Sequence, residues 1–247
     1  VVICGDVVMD LDLTRLIRFH REKGALATIA LTEVPQDQVS SYGVVVRDGE
    51  EKILEFQEKP SVEEARSRTV NTGIYVFEPE VIEHIPSGEI YDIGGQLFPA
   101  LVEAGAALYG AKIPFQWLDI GKISDYYTVM QMALRGEVNG LSMPGRQIAP
   151  GVWAGLNVRA DLSRCEIVPP VFVGGSATLE PGCTVVGPTA IGAGCVVESG
   201  AHVEKSIIFD HTRIDSCAEV KQMIVCGGYC VDASGTAIDL AQCDMDW

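Results

Sequence analysis

The chain has 247 residues, 47% of them hydrophobic, enough to bury a substantial core in one large or two modest domains, and two is the reading taken here. Lys and Arg number 18 against 34 Asp and Glu, a formal charge of -16 that repels polyphosphate backbones and argues against DNA or RNA as a partner. A small phosphorylated substrate stays compatible with that charge if a divalent cation bridges it to carboxylates.

Val1-Val2-Ile3-Cys4 opens the chain as a β-branched apolar run of the kind found in buried parallel strands, so the numbered sequence is expected to start inside a domain. Asp12 or Thr14 caps a predicted helix with Leu13, Leu16, Ile17 and His20 on one face, and Gly24 stands where a left-handed C-terminal residue is wanted. Residues 25 to 31 read as a strand, and residues 42 to 46 with 52 to 56 read as a hairpin turned at Asp48-Gly49. Residues 70 to 77 form the next strand. Asp92 caps a predicted helix running through Leu97, Leu101 and Val102 to Gly105, after which residues 108 to 113 and 115 to 118 look extended. Ser124 opens a helix reaching about Arg135. Residues 137 to 150, rich in Gly and Pro, have linker composition, which gives a first domain of residues 1–136 and a second of 151–247.

In the second domain Ile167, Val173, Leu179, Val185, Ile191, Val197 and Val203 are aliphatic at every sixth position. Two residues before the later ones stand Val171, Ala177, Cys183, Thr189, Cys195 and Ala201, almost all small. Chance would produce seven such hits in one phase with a probability on the order of 10⁻⁴. A six-residue period with one inward aliphatic and one small residue fits a three-sided parallel β-helix. The phase slips near Ser206 and resumes at Ile208, Ile214 and Val220. The eight cysteines include no Cys-x-x-Cys pair and no short disulfide framework; they read as reduced, mostly buried apolar residues of a cytoplasmic protein. No apolar run approaches the roughly 18 residues of a membrane helix, and the first residues lack the basic flank of a signal peptide.

Four short strings sit at predicted strand ends, where open α/β sheets bind ligands: Gly5-Asp6, Glu58-Lys59-Pro60, Asn71-Thr72-Gly73 and Trp117-Leu118-Asp119-Ile120-Gly121. Asp6 and Asp119 are carboxylates suited to Mg²⁺, and alone either reads first as a turn or cap residue, a preference that their place in order with the other strings reverses. Lys59 is a compact cation suited to a sugar phosphate, and Glu58 accepts hydrogen bonds from sugar hydroxyls; alone the two are a solvated charge pair. Asn71 gives and accepts hydrogen bonds, and Gly73 lets backbone approach a sugar ring.

In this order the strings resemble the NDP-sugar pyrophosphorylase family, and residues 148 to about 240 resemble the hexapeptide-repeat tail of its mannose-1-phosphate guanylyltransferase branch. The resemblance implies an α/β, Rossmann-like mixed-sheet nucleotidyltransferase domain, N-terminally incomplete, followed by a left-handed parallel β-helix. It implies Asp6 and Asp119 as ligands of Mg²⁺, Lys59 as the sugar-phosphate contact, and Glu58, Asn71 and Gly73 as sugar contacts, with Gly5 beside Asp6 in the substrate site. The substrates it implies are a sugar-1-phosphate and a nucleoside triphosphate, foremost mannose-1-phosphate and GTP giving GDP-mannose, with glucose-1-phosphate and a uridylyl, adenylyl or thymidylyl donor as the alternative. The family's glycine-rich phosphate loop is expected ahead of Val1, so the chain as numbered is not expected to catalyse alone, and Lys122-Ile123 stands where Thr-Pro is more usual. Two rival readings remain: a non-catalytic regulatory subunit, and a hexapeptide acyltransferase using His202, placed at a corner, or His211. In each case the β-helix is expected to associate copies into a homo-oligomer, with no nucleic acid or membrane partner.

Overall fold

Alternation along the run from Ala27 to Leu31 decides the layering of the first unit. The structure is a computed structural model and describes residues 1–239. Its contacts divide the chain into two units, Val1–Trp117 and the part from Leu118 onward. The elements up to that division are β1 (Val2–Ile3), β2 (Val7–Met9), α1 (Leu13–Lys23), β3 (Ala27–Glu33), β4 (Gly43–Arg47), β5 (Ile53–Glu58), β6 (Thr69–Phe77), α2 (Phe98–Glu103) and β7 (Leu108–Ala111), followed by β8 (Trp117–Asp119). The main sheet runs β5-β4-β6-β3-β7, with β1 also on β6. It is mixed: β3 and β7 are parallel and the other pairs antiparallel.

Ala27, Ile29 and Leu31 face one side of the sheet and pack with Leu97, Phe98 and Leu101, whereas Ala30 faces the other and packs with Ile74, Val76 and Leu16 of α1. A strand covered on both faces needs apolar residues at successive positions, which accounts for the run; its one polar member, Thr28, is buried with its hydroxyl on His20. Helix α1 begins where Asp12 accepts the Arg15 N–H at 3.1 Å and ends at Gly24, φ 55°; such an N-cap contributes about 1 kcal/mol. His20, 2% exposed, is a satisfied core histidine, with Nδ1 2.8 Å from Thr28 Oγ1 and Nε2 3.2 Å from Glu78 Oε1.

Three local expectations are corrected. Val2–Ile3 is antiparallel to Ile74–Tyr75 and exposed, because among the described residues it is paired along one edge only. The hairpin turn has Glu51 in the left-handed region, φ 73°, while Asp48 Oδ1 accepts the N–H groups of Glu50 and Lys52 at 2.9 Å each. The helix capped by Asp92 starts as a π-helical turn, Ile93–Leu97, before α2. Pro99 has no N–H to give the Gly95 carbonyl and its ring crowds that carbonyl, so the first turn opens wide.

From Leu118 the second unit contains α3 (Ile123–Arg135), closed by Gly136 at φ 75°, and then β9 (Arg146–Ala149) and β10 (Val152–Ala154). By contacts α3 groups with this unit, where the Tyr127 hydroxyl donates to the Lys205 carbonyl at 2.6 Å. Part of the expected linker is structured, since β9 pairs antiparallel with β10.

Beyond β10 the chain is a parallel β-solenoid of about four turns, with three sheets. Along the first face, equivalent residues step by 19, 18, 17 and 17 positions: 152 to 171, 171 to 189, 190 to 207 and 207 to 224. The extra residue of the first turn lies in the corner 161–165 and the missing one of the third in the corner Lys205-Ser206. These two corners explain why the six-residue count starts at Ile167 and slips at Ser206. Ser206 is fully buried there, its hydroxyl donating to the Glu204 carbonyl at 2.7 Å and accepting the Met223 N–H at 3.2 Å. Val173, Leu179, Val185, Ile191, Val197, Val203, Ile208, Ile214 and Val220 form the core with the small Ala177, Cys183, Cys195 and Ala201. Met223–Cys226 then turns back into Tyr229–Asp232, which pairs with Ala237–Asp239.

Cysteine burial is mixed: Cys183 and Cys195 are buried, but Cys4, Cys217 and Cys226 are exposed, and all seven described cysteines are free. Burial, with the Cys165 thiol beside it, pushes the Cys183 thiol up to about 12. Cys243 lies outside the described residues, as does the end of the expected second domain.

Candidate functional site

On β6, Asn71 and Tyr75 oppose Leu31 and Ile29 of β3, so the step of four residues faces a step of two and a bulge rises at residues 72–74. Bulges recur beside functional sites because they re-aim side chains and free backbone from the ladder. Gly73 provides the left-handed turn at φ 76°, and a Cβ there would lie 2.8 Å from Cys4 Cβ. Thr72, 1% exposed, donates its hydroxyl to the Ala30 carbonyl at 2.8 Å, and its own carbonyl accepts the Trp117 indole N–H at 3.1 Å. Asn71 Oδ1 accepts the Gly73 N–H at 2.9 Å while Nδ2 donates to the Tyr75 hydroxyl at 3.0 Å. Its amide, expected to face a ligand at both ends, is thus anchored at both ends inside the unit.

Gly5-Asp6 lies beside this bulge. The Cys4 N–H donates to the Gly73 carbonyl at 2.9 Å, and the Cys4 thiol donates to Asp6 Oδ1 at 2.7 Å. Asp6 is exposed in the turn between β1 and β2, and a Cβ on Gly5 would meet nothing within 4 Å.

Glu58 ends β5 and Lys59 follows it in the left-handed region, φ 44°, its N–H held by the Tyr42 carbonyl at 3.2 Å. Glu58 is exposed as a residue, but its carboxylate tip lies against glycines: a Cβ on Gly94 or Gly43 would come within 2.7 or 3.1 Å of Oε2. Burial of that tip raises the Glu58 pKa above the ordinary carboxylate value, with the Lys59 charge opposing and the Asp92 charge adding. The Tyr75 pKa is raised mainly by its own burial, and the charges of Glu58 and Asp92 add to the shift. Glu58, Asp92, Tyr75 and Asn71 therefore share one neighbourhood, reached from Asp6 through Cys4 and Gly73.

Asp119, half-buried at the end of β8, accepts the Gly121 N–H on Oδ1 at 3.2 Å and belongs to the second unit. Among the described residues no three or more His, Cys, Asp or Glu side chains gather as a metal-binding group. Asp6 and Asp119 each carry hard oxygen donors, the ligand type Mg²⁺ takes in ones and twos while keeping waters and phosphate oxygens; by donor chemistry both residues fit it.

His202 stands in the strand His202–Glu204 and not at a corner, its Nε2 3.5 Å from Glu204 Oε2; the corner histidine is His211, at φ 60°. The roles of four residues of the site escaped the sequence reading: Cys4, Thr72 inside its string, Tyr75, and Asp92 as a charge facing Glu58. A signal existed for Tyr75, since a tyrosine alternating with buried residues must find its hydroxyl a partner. Thr72 and Cys4 act through a bulge that no sequence periodicity announces.

Comparison with known proteins gives the chain a family. A family model described as nucleotidyl transferase matches residues 1–136, and one described as GMPPB C-terminal domain matches residues 167–235. Over all its residues the chain is 49% identical to UTP–glucose-1-phosphate uridylyltransferase from Synechocystis sp., of which it covers 64%. It is 28% identical over 84% of its length to glucose-1-phosphate adenylyltransferase from Clostridioides difficile, and 28% identical over 86% to mannose-1-phosphate guanylyltransferase from Mycobacterium tuberculosis. It covers 54% and 52% of those two proteins, so the chain spans between half and two thirds of the length of these curated relatives.

Proposed function

We propose, from the premise that the chain belongs to the nucleotidyl transferase family, that the protein carrying it forms a sugar nucleotide and pyrophosphate from a sugar-1-phosphate and a nucleoside triphosphate. The observation that carries this reading is the continuous set of contacts from Asp6 through Cys4, Gly73, Asn71 and Tyr75 to the neighbourhood of Glu58. An exposed carboxylate, a bulge that lets a ring approach at Gly73 and a partly desolvated carboxylate are the groups that hold a polyhydroxylated phosphate.

In this proposal Glu58 accepts hydrogen bonds from sugar hydroxyls, Gly73 lets the ring lie against β6, and Lys59 balances the sugar phosphate. Asn71, already anchored to Gly73 and Tyr75, holds the bulge that carries these contacts. A phosphate oxygen of the sugar-1-phosphate attacks the α-phosphorus of the triphosphate in line; the new P–O bond forms as the bond to the β-phosphate oxygen breaks, and that electron pair leaves with pyrophosphate. Such a transfer depends on positioning and charge neutralisation more than on a proton relay. By the resemblance of their strings Asp6 and Asp119 are each taken as a Mg²⁺ ligand; the ion, when bound, would neutralise phosphate charge that a chain of formal charge -16 otherwise repels.

The substrates proposed are glucose-1-phosphate and UTP, because 49% identity across the whole chain outweighs 28% to enzymes of other specificity. The resemblance of the repeat tail favours mannose-1-phosphate and GTP, and the GMPPB C-terminal match over residues 167–235 keeps that pair as the second reading. The cytoplasm read from the cysteine spacing belongs to the proposal. So does self-association, for which exposed Leu156, Val168 and Tyr229 on the second unit offer apolar surface.

The test is pyrophosphate release by the complete reading frame over a grid of sugar-1-phosphates and nucleoside triphosphates with Mg²⁺. Turnover is expected for glucose-1-phosphate with UTP at least tenfold above every other pair. Preference for mannose-1-phosphate and GTP would install the second reading, and silence across the grid would overturn the transferase.

A further inference from the structure

The four strings are read above as ligand contacts, yet one residue among them touches the supports of two others. The Trp117 indole N–H donates to the Thr72 carbonyl at the crest of the β6 bulge. The ring meets Tyr42 edge-on, with centroids 5.2 Å apart, and packs on the buried cluster of Val34, Val39, Val44 and Val70. Tyr42 in turn holds the Lys59 N–H through its carbonyl, at the residue whose left-handed backbone aims Lys59 away from the end of β5. Trp117 itself begins the strand that ends at Asp119. Position, burial and bonding thus make it a shared support for the sugar-type bulge and the phosphate-type cation.

We infer that Trp117 is a positioning residue, acting through Thr72 on Asn71 and Gly73 and through Tyr42 on Lys59. The inference rests on the transferase reading for its kinetic consequence. Its structural half stands independently, because a bulge lifted out of the ladder has lost regular cross-strand bonds and depends on those that replace them. The bonds replacing them here are the Thr72 hydroxyl to Ala30, the Trp117 indole to Thr72, the Asn71 amide to Gly73 and the Cys4 N–H to Gly73. The indole bond is half-buried and comes from a side chain wedged in an apolar cluster, so water replaces it poorly. Removing it while keeping an aromatic ring should loosen the bulge and leave the rest of the sheet paired.

Two variants isolate the indole bond to the crest residue and the crest residue's own hydroxyl bond to Ala30: Trp117→Phe retains a ring for Tyr42 and removes the donor, and Thr72→Val retains shape and removes the hydroxyl. The first readout is amide hydrogen exchange on the complete protein. Exchange across residues 70–76 is expected to rise about tenfold in each, the effect of one net hydrogen bond, with β3 and α1 unchanged. The second readout is kinetic. The KM for the sugar-1-phosphate is expected to rise about tenfold with kcat and the nucleotide KM held within about twofold, and Thr72→Ser, which restores the hydroxyl, to return to the parent value. Unchanged exchange over 70–76 in Trp117→Phe would overturn the inference whatever the kinetics. Equal losses for both substrates, alongside exchange raised throughout the first unit, would also overturn it, by reducing Trp117 to an ordinary core residue. A parent protein silent on all substrate pairs, but with exchange rising at 70–76 in the variants, would leave the clamp standing and remove the transferase reading.

Discussion

Glu58 is held under two opposed demands. Its carboxylate tip lies against Gly94 and Gly43 with Asp92 nearby, so the fold favours the protonated form, while the proposed role needs an acceptor for sugar hydroxyls. A carboxyl whose folded pKa is raised contributes its favourable term at low pH and loses it as pH rises through the unfolded value of about 4.3 and then the folded one. Glu58→Gln is therefore expected to raise the Tm at pH 8 and to converge with the parent near pH 4, while raising the KM for the sugar-1-phosphate. Thermal unfolding at the two pH values checks the sign, and a lower Tm at pH 8 would contradict it. At this scale residue types were legible in the sequence and their partners were not. Asn71 was recognised as a double hydrogen bonder, but its partners, Gly73 and the Tyr75 hydroxyl, exist only because β6 bulges.

The elements divide by the kind of signal they carry. Helix α1 was readable to its caps because Asp12 and Gly24 solve local problems, an unsatisfied first turn and a left-handed exit. The solenoid was readable because each turn repeats the same inward positions, and it lost phase where a corner gained or lost one residue, at 161–165 and Lys205-Ser206. The π-turn before α2 has a local cause in Pro99 that the helix reading passed over, whereas the bulge in β6 was not readable, since it balances local preference against packing of the sheet. The inward ladder makes a measurable claim. Ile191 is fully buried in the middle of the solenoid core, so Ile191→Ala should cost about 2–5 kcal/mol in urea unfolding, whereas Leu156→Ala, at a residue 84% exposed, should stay within about 0.5 kcal/mol. A loss at Ile191 no greater than at Leu156 would mean that the ladder is not the core of that unit.

For the whole molecule, charge and chain architecture set the terms of the chemistry. A formal charge of -16 argues against a polyanionic partner held by charge alone, and under the proposal a triphosphate relies on a cation and on local positive groups such as Lys59. The family was legible because four strings kept their order across the first half of the chain. The sugar and base were not, because the chain is similar at once to relatives named for glucose-1-phosphate with UTP, for glucose-1-phosphate adenylyl transfer and for mannose-1-phosphate guanylyl transfer. The most direct measurement is to follow UTP labelled at the α-phosphorus with glucose-1-phosphate and Mg²⁺, using the complete reading frame and its Asp119→Asn variant. The account predicts label in UDP-glucose, one pyrophosphate released per molecule formed, and a fall of about 10²-fold or more in the variant, the scale of losing a charged contact to the reacting phosphates. Label that never enters a sugar nucleotide, or a variant whose Mg²⁺-dependent turnover is unchanged, would contradict it.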